Sequence, residues 1–221
     1  MYYFYFTKWS KMKISKAIIL DTARKLYNEK GYASVSYRQL ARALGISHSN
    51  LIYHFKDKQA LIEALHDQIL AAAMTINQEI TEADSLMEGL VVSVVRGFEV
   101  MYEYRFFMLD FNYILAANTT LRDTIRQIES VRYEMYDRQI AGMVATGIMR
   151  ERTYEREYTD LIECIRVYSD YWISSAHVYE ADPAASVRAY ARLFITMFYP
   201  YLTEVGRAQS TQAMASYGLE L

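Results

Sequence analysis

The chain of 221 residues carries one cysteine, Cys164. A single thiol rules out an intramolecular disulfide and any zinc site built on cysteines, and it suits a reducing compartment. The expected place for Cys164 is the core, since only Arg166 nearby could activate a thiol. Proline is almost absent, with two residues, and glycine is scarce, with eight. So few breakers among long periodic stretches predict an all-α protein. No apolar run reaches the ~18–20 residues of a membrane span. The longest, at 69–74 and 90–95, fall far short. Residues 1–6 are apolar but have no positive residue before them and no small-residue cleavage site after them, so the expected compartment is the cytoplasm. Catalytic signatures are missing too. His48, His54, His66 and His177 form no paired metal motif, and neither a glycine-rich phosphate loop nor a G-x-S-x-G elbow occurs. His177 beside Ser174 and Ser175 hints weakly at nucleophilic chemistry; a polar interface histidine is the stronger reading. Neither an enzyme nor a metal or cofactor site is expected.

An excess of one charge is also missing overall, but not locally. The net charge is −2. Residues 1–66 hold eleven Lys or Arg against four Asp or Glu, whereas the remaining 155 hold thirteen against twenty-two. That separation describes a nucleic-acid-binding module joined to one that does not bind. The acidic part would repel DNA and confine contact to one end.

The basic end contains the stretch around which the chain is organised, residues 36–58. Ser36 with Gln39 three places on is a capping box. Tyr37, Leu40, Ala41 and Leu44 then recur on one helical face, and Gly45 stands where a helix end favours a left-handed residue. Ile46 plugs the turn, Ser47 caps a second helix, and Leu51 and Phe55 point inward at a spacing of four. Helix, glycine-containing turn, helix is the form of a helix-turn-helix. The outer face of the second helix offers His48, Ser49 and Asn50, followed by Tyr53, His54, Lys56 and Lys58. Side chains at the start of such a helix reach base edges, and flanking groups hold phosphates. By spacing alone, a small structural hairpin with a polar outside fits equally well.

The flanks decide between the two. The window from about Ile14 to Leu65 resembles the DNA-binding domain of the TetR family of bacterial transcriptional regulators. The resemblance is carried by Ile19, Ala23, Leu26 and Tyr27; by Lys30, Gly31 and Tyr32; by Arg38, Leu40 and Ala41; by Leu44, Gly45, Ile46 and Ser47; and by Leu51, Tyr53, His54, Phe55, Lys56, Lys58 and Leu61. It implies that Ser47, His48, Ser49 and Asn50 lie against the groove, with Arg38 in reach of its edge, while Tyr53, His54, Lys56 and Lys58 hold phosphates. One position departs. Family members usually carry an aromatic directly after the recognition-helix leucine, and here that residue is Ile52. Either Tyr53 substitutes, or a phosphate contact is lost and Ile52 packs inside.

The resulting division is a flexible extension at 1–13, a helix-turn-helix domain at 14–66, a larger helical ligand-binding and dimerisation domain at 67–206, and a tail at 207–221. Lys8, Lys11 and Lys13 could form a basic arm, although translation starting at Met12 would remove most of it. Asp57 opens a rod-like helix reaching about residue 80, and Ser85 with Glu88 caps a helix apolar almost all round, expected at the centre. Thr120 with Asp123 would start another helix. Further helices are expected at 155–179 and from Asp182-Pro183 to 206, interrupted at Pro200.

Aromatics crowd residues 98–113. Phe98, Met101, Tyr102, Phe106, Met108 and Tyr113, with Trp172, are candidates to line an apolar effector pocket, although each could equally fill the core. Tyr168, Trp172, Val187, Phe194 and Phe198 are apolar enough to predict a helix–helix dimer interface. The expectation is therefore a dimeric, effector-responsive regulator, a repressor by family habit, binding a pseudo-palindromic operator. The competing expectation is a helical interaction protein that has lost specific DNA binding.

Overall fold

A computed structural model describes residues 14–220 of the chain. The candidate basic arm with Lys8, Lys11 and Lys13, and the alternative start at Met12, lie outside the described residues. Every described regular element is helical; the one β contact among them is a single antiparallel bridge between Met149 and Leu202.

Three short helices form the head: α1 (Lys16–Lys30), α2 (Tyr37–Ala43) and α3 (His48–His54). Each begins where a serine oxygen satisfies an orphan amide of the first turn. Ser15 Oγ accepts from the Ile18 N–H, Ser36 Oγ from Gln39, and Ser47 Oγ from Asn50 at 3.1 Å. The Gln39 side chain accepts in return from the Ser36 N–H at 2.7 Å, closing the capping box. Gly45 joins α2 to α3 at φ 66°, a conformation that costs a side-chain-bearing residue about 1 kcal/mol or more. Ile19, Ala23, Leu40, Leu51, Leu61 and Leu65 close over one another with almost no exposure. The Tyr37 hydroxyl donates to the Phe55 carbonyl and ties α2 to the end of α3.

The body follows as α4 (Lys58–Thr81), α5 (Leu86–Glu103), α6 (Arg105–Leu109), α7 (Phe111–Ala117), α8 (Thr119–Ala145), α9 (Glu157–Tyr179), α10 (Val187–Thr196), a 3-10 turn at Tyr199–Tyr201, and α11 (Glu204–Ser216). The N-cap Asp57 accepts from the Ala60 N–H, and α4 runs unbroken from the head into the body. Helix α5 is central, as its all-round apolarity predicts. Met87, Leu90, Val91, Val94, Val95 and Phe98 are buried beneath α4, α10 and α11.

Four local expectations are corrected. Helix α8 is capped by Asn118, not started by Thr120: Asn118 Oδ1 accepts from the Leu121 N–H at 2.9 Å while its Nδ2 donates to Glu63. Asp182 caps a turn, accepting from Ala184 and Ala185, and α10 starts only at Val187. Residues 207–216 are no tail. They belong to α11, whose Gly206, Ser210, Ala213 and Met214 pack inward, with α5 as its neighbour. Small residues gain little from burial individually but permit close approach, so the apolar signal is faint while the packing is tight. Cys164 lies on an exposed face of α9, not in the core.

The α8–α9 connection is fixed by a buried carboxylate. Glu157 accepts from both terminal nitrogens of Arg150, at 2.6 and 3.0 Å, and from the Thr153 N–H and hydroxyl. The Arg150 guanidinium first, and Thr153 after it, hold the Glu157 carboxyl down at about 2.

Candidate nucleic-acid interface

The side chains expected at the groove share the outer side of the helix-turn-helix. Ser47, His48, Ser49 and Asn50 are exposed, as are Arg38 on α2 and Lys56 after α3. Burying Leu51 and Phe55 turns the opposite side of a seven-residue helix outward, so the inward pair aims the polar set. The His48 ring meets the Tyr37 ring edge-on at 5.8 Å, which limits its rotation while leaving it exposed. Tyr53 is 85% exposed, and the half-buried His54 stands edge-on to it at 5.4 Å. Ile52 is 42% exposed, so it does not pack inside. The departure from the family pattern removes a hydroxyl from this surface but leaves Tyr53 beside it.

Lys58 is the exception. Expected on a phosphate, its ammonium instead donates to the Tyr32 carbonyl and sits 3.8 Å from the centre of the Tyr32 ring and 5.5 Å from that of Tyr27. Two tyrosine faces and a carbonyl replace part of its water shell. Burial pushes its pKa down, partly countered by Asp110.

The head is bolted to the body by polar contacts that join residues far apart in sequence. Asn28 donates to the Glu103 carbonyl at 2.7 Å and accepts from the Phe106 N–H at 3.0 Å. Arg24 pairs with Glu103 at 3.0 Å, Gln59 donates to the Ala117 carbonyl, and Asp110 accepts from the Tyr32 N–H at 2.6 Å. His66 stacks on Phe107 at 5.6 Å, and burial lowers its pKa.

The residues expected to line one pocket separate into two groups. Phe98 stacks on Trp172 at 4.7 Å, with Tyr102 beside that indole at 6.3 Å and Phe194 against Phe98 at 5.6 Å. These rings fill the body core. Met101 is half-buried at its margin. Phe106 instead packs on Tyr27 at 5.3 Å, and Tyr113 reaches Tyr32 at 6.2 Å while staying 56% exposed, so both belong to the junction with the head. A depression of about 210 Å³ opens on the body, between Glu63, His66 and Asp67 of α4 and Thr120, Leu121 and Thr124 of α8.

The expected dimer face is likewise corrected. Trp172, Val187, Phe194 and Phe198 are buried within the single chain, and the Tyr168 hydroxyl donates to the Tyr190 carbonyl at 2.9 Å. Amphipathic helices turn their largest apolar residues toward their own core first. Among the residues α9 leaves outside are Cys164, Val167, Tyr171 and Val178, spaced three, four and seven apart, with Tyr179 at its end and Leu193 exposed on α10. That spacing was visible in the sequence, overshadowed by the heavier aromatic stripe. The weak catalytic grouping does not form. His177 Nδ1 bonds the Ile173 carbonyl, and the Ser175 hydroxyl pairs with that of Tyr190.

An exposed polar recognition surface on a three-helix head, carried by a larger helical body, defines a helix-turn-helix regulator architecture. Comparison with known proteins agrees along nearly the whole chain. Residues 19–65 match the family described as bacterial regulatory proteins, tetR family, and residues 70–210 match the family described as bacterial transcriptional repressor, TetR. The protein belongs to the TetR family. Among individual relatives, the class D tetracycline repressor of Escherichia coli is 39% identical over 59 residues, which is 27% of each chain. The transcriptional regulator UidR of Escherichia coli K12 is 32% identical over 77 residues, 35% of this chain and 39% of UidR. The match thus spans well under half the length of these relatives. A TetR-family regulator from Marinobacter aquaeolei VT8 shares the fold with a TM-score of 0.78 at 20% identity, covering 92% of this chain and 98% of the other. The ketosteroid transcriptional regulator KstR2 of Mycobacterium tuberculosis does so with a TM-score of 0.69 at 16% identity, covering 88% and 98%.

Proposed function

We propose that this protein is a cytoplasmic, DNA-binding transcriptional regulator that acts as a dimer on a pseudo-palindromic operator and represses until an effector releases it. The observation that carries the DNA contact is the exposed first turn of α3, with His48, Ser49 and Asn50 outward on the basic end of the chain. Asn50 suits adenine and Ser49 suits several base edges, with Arg38 in reach of the groove edge, while Tyr53, His54 and Lys56 supply the backbone contacts. Selection of bound duplexes from random DNA at physiological salt tests this directly. A recovered palindrome supports the reading; no enriched sequence counts against it and favours the interaction-protein alternative. On the selected site, Asn50→Ala should cost about 1–3 kcal/mol at one base position, whereas Lys56→Ala should weaken all sequences alike. An unchanged base preference in the Asn50 variant would remove that residue from base reading.

The dimer is supported by the exposed stripe of α9, Val167, Tyr171 and Val178, with Leu193 of α10. A second copy related by a twofold axis would cover these apolar residues and place two recognition helices one helical turn of DNA apart, about 34–36 Å, or a little more. Sedimentation showing a monomer at every micromolar concentration would refute it. An effector would bind the body, where the depression between α4 and α8 is rimmed by Glu63, His66, Asp67, Thr120 and Thr124 and so suits a polar molecule better than an apolar one. Effector and operator must then oppose each other by the same factor, since coupling is reciprocal.

A further inference from the structure

Lys58 and Asp110 flank one residue of the head. Lys58 opens α4 and its ammonium donates to the Tyr32 carbonyl while lying over the Tyr32 ring. Asp110, between α6 and α7, takes the other side of the same residue, its Oδ2 accepting from the Tyr32 N–H at 2.6 Å and from the Ala33 N–H at 3.4 Å. Tyr113 closes against the Tyr32 ring at 6.2 Å. Thus a carboxylate of the body and a cation of α4 grip the amide and the carbonyl of a single residue of the head. Lys56, two residues before Lys58, has no such hold among the described residues and is exposed.

We propose that Asp110 is a positioning residue for DNA contact: acting through Tyr32, it keeps Lys58 off the phosphate backbone. The proposal rests on the DNA-binding reading above. Its physical basis is a narrow balance. An ammonium that leaves water for two aromatic faces and a carbonyl gives up hydration, and a nearby carboxylate offsets that loss. Removing the negative charge at Asp110 leaves the hydration loss without its offset. The four-carbon stem then lets Nζ relocate to water, or to a phosphate, without backbone movement. Body movements that shift Asp110 relative to Tyr32 would act on the same balance. Lys58 is then a phosphate contact held in reserve.

The test uses the full chain and a duplex recovered by selection from random DNA. Affinity is measured against salt for the wild type, Asp110→Asn, Lys58→Ala and the double variant. Asparagine keeps an acceptor for the Tyr32 N–H and removes only the charge. Each phosphate newly neutralised steepens the log–log slope by about 0.9, so Asp110→Asn should steepen it by about 1.8 for a two-headed complex. Lys58→Ala should leave the wild-type slope nearly unchanged and should abolish the steepening in the Asp110→Asn background. Parallel slopes in all four proteins overturn the proposal. So does steepening that survives in the double variant, since deletion of acidic charge alone would then explain it. A wild-type slope flattened by the full amount in Lys58→Ala also overturns it, because Lys58 would already sit on a phosphate. A general loosening of the head would lower the melting temperature but would not make the slope depend on Lys58. If the wild type enriches no duplex, the DNA-binding reading itself fails; if it binds and the four slopes are parallel, only the role of Asp110 fails.

Discussion

Alanine in place of glycine should shift the stability of this protein in opposite directions at two helical positions, Gly206 and Gly97. Gly206 lies in the first turn of α11, where an added Cβ would stand 2.1 Å from the Ile148 carbonyl oxygen. Ordinary contact begins near 3.4 Å, so α11 must retreat by more than an ångström, and the obstacle is backbone rather than a flexible side chain. That retreat pulls on the bonds anchoring the helix: Thr203 N–H to the Ile148 carbonyl at 3.0 Å and the Thr203 hydroxyl to the Gly147 carbonyl at 2.6 Å. It also lifts Ala213 and Met214, both buried, from their packing. Overpacking costs about 1–3 kcal/mol and each weakened hydrogen bond about 0.5–1.5 kcal/mol. The helical preference of alanine returns at most about 1 kcal/mol. The expected net destabilisation is about 2–4 kcal/mol, or roughly 5–15 °C in melting temperature for a chain of this size. Gly97 is the control. It lies within α5, and a Cβ there meets nothing within 4 Å. Gly97→Ala should therefore stabilise by up to about 1 kcal/mol. Thermal melts of both variants, followed by circular dichroism, decide the matter. If Gly206→Ala melts at or above the wild type, the close approach of α11 to residues 147–149 is wrong.

Phe98→Ala should cost about 3–5 kcal/mol in a denaturant titration, because it leaves a cavity against Trp172 and Phe194; a loss below about 1 kcal/mol would mean these rings line open space after all. Glu157→Gln should lower the melting temperature at neutral pH. The wild-type carboxyl titrates near 2 when folded, against an ordinary value of 4.5, so its contribution is complete above about 4.5 and fades as pH falls toward 2. The two melting curves should therefore converge across that window, and a constant gap would assign the effect to shape rather than charge. Replacing Tyr171 and Val178 with glutamate should place like charges on both sides of a twofold seam and give monomers by sedimentation, with the melting temperature of the monomer little changed.

The sequence alone determined the starts of α2, α3, α4 and α5 and the helix-turn-helix, but not the starts of α8 and α10. Serines at 36, 47 and 85 and Asp57 cap the helices they were expected to cap, because a cap is a bond between neighbours three residues apart. Leu51 and Phe55 face inward for the same local reason, a helical period, and that orientation leaves the candidate base readers outside. Competition among faces of one helix was not legible. Helix α9 carries two stripes, the aromatic one with Tyr168 and Trp172 and the lighter one with Val167, Tyr171 and Val178. Only the positions of α5 and α10 decide that the first is core. The gathering of 98–113 into one pocket failed likewise, since the breaks at Tyr104 and Asp110 turn Phe106 and Tyr113 toward Tyr27 and Tyr32. Helix α11 escaped notice because small residues pack by closeness, which leaves little hydrophobic signal. The fate of Lys58 depended on tertiary structure most of all. Its type and position suit a phosphate, but the partners that hold it, Tyr32 directly and Asp110 beyond, come from segments 26 and 52 residues away, and only the docking of head on body sets them around one ammonium.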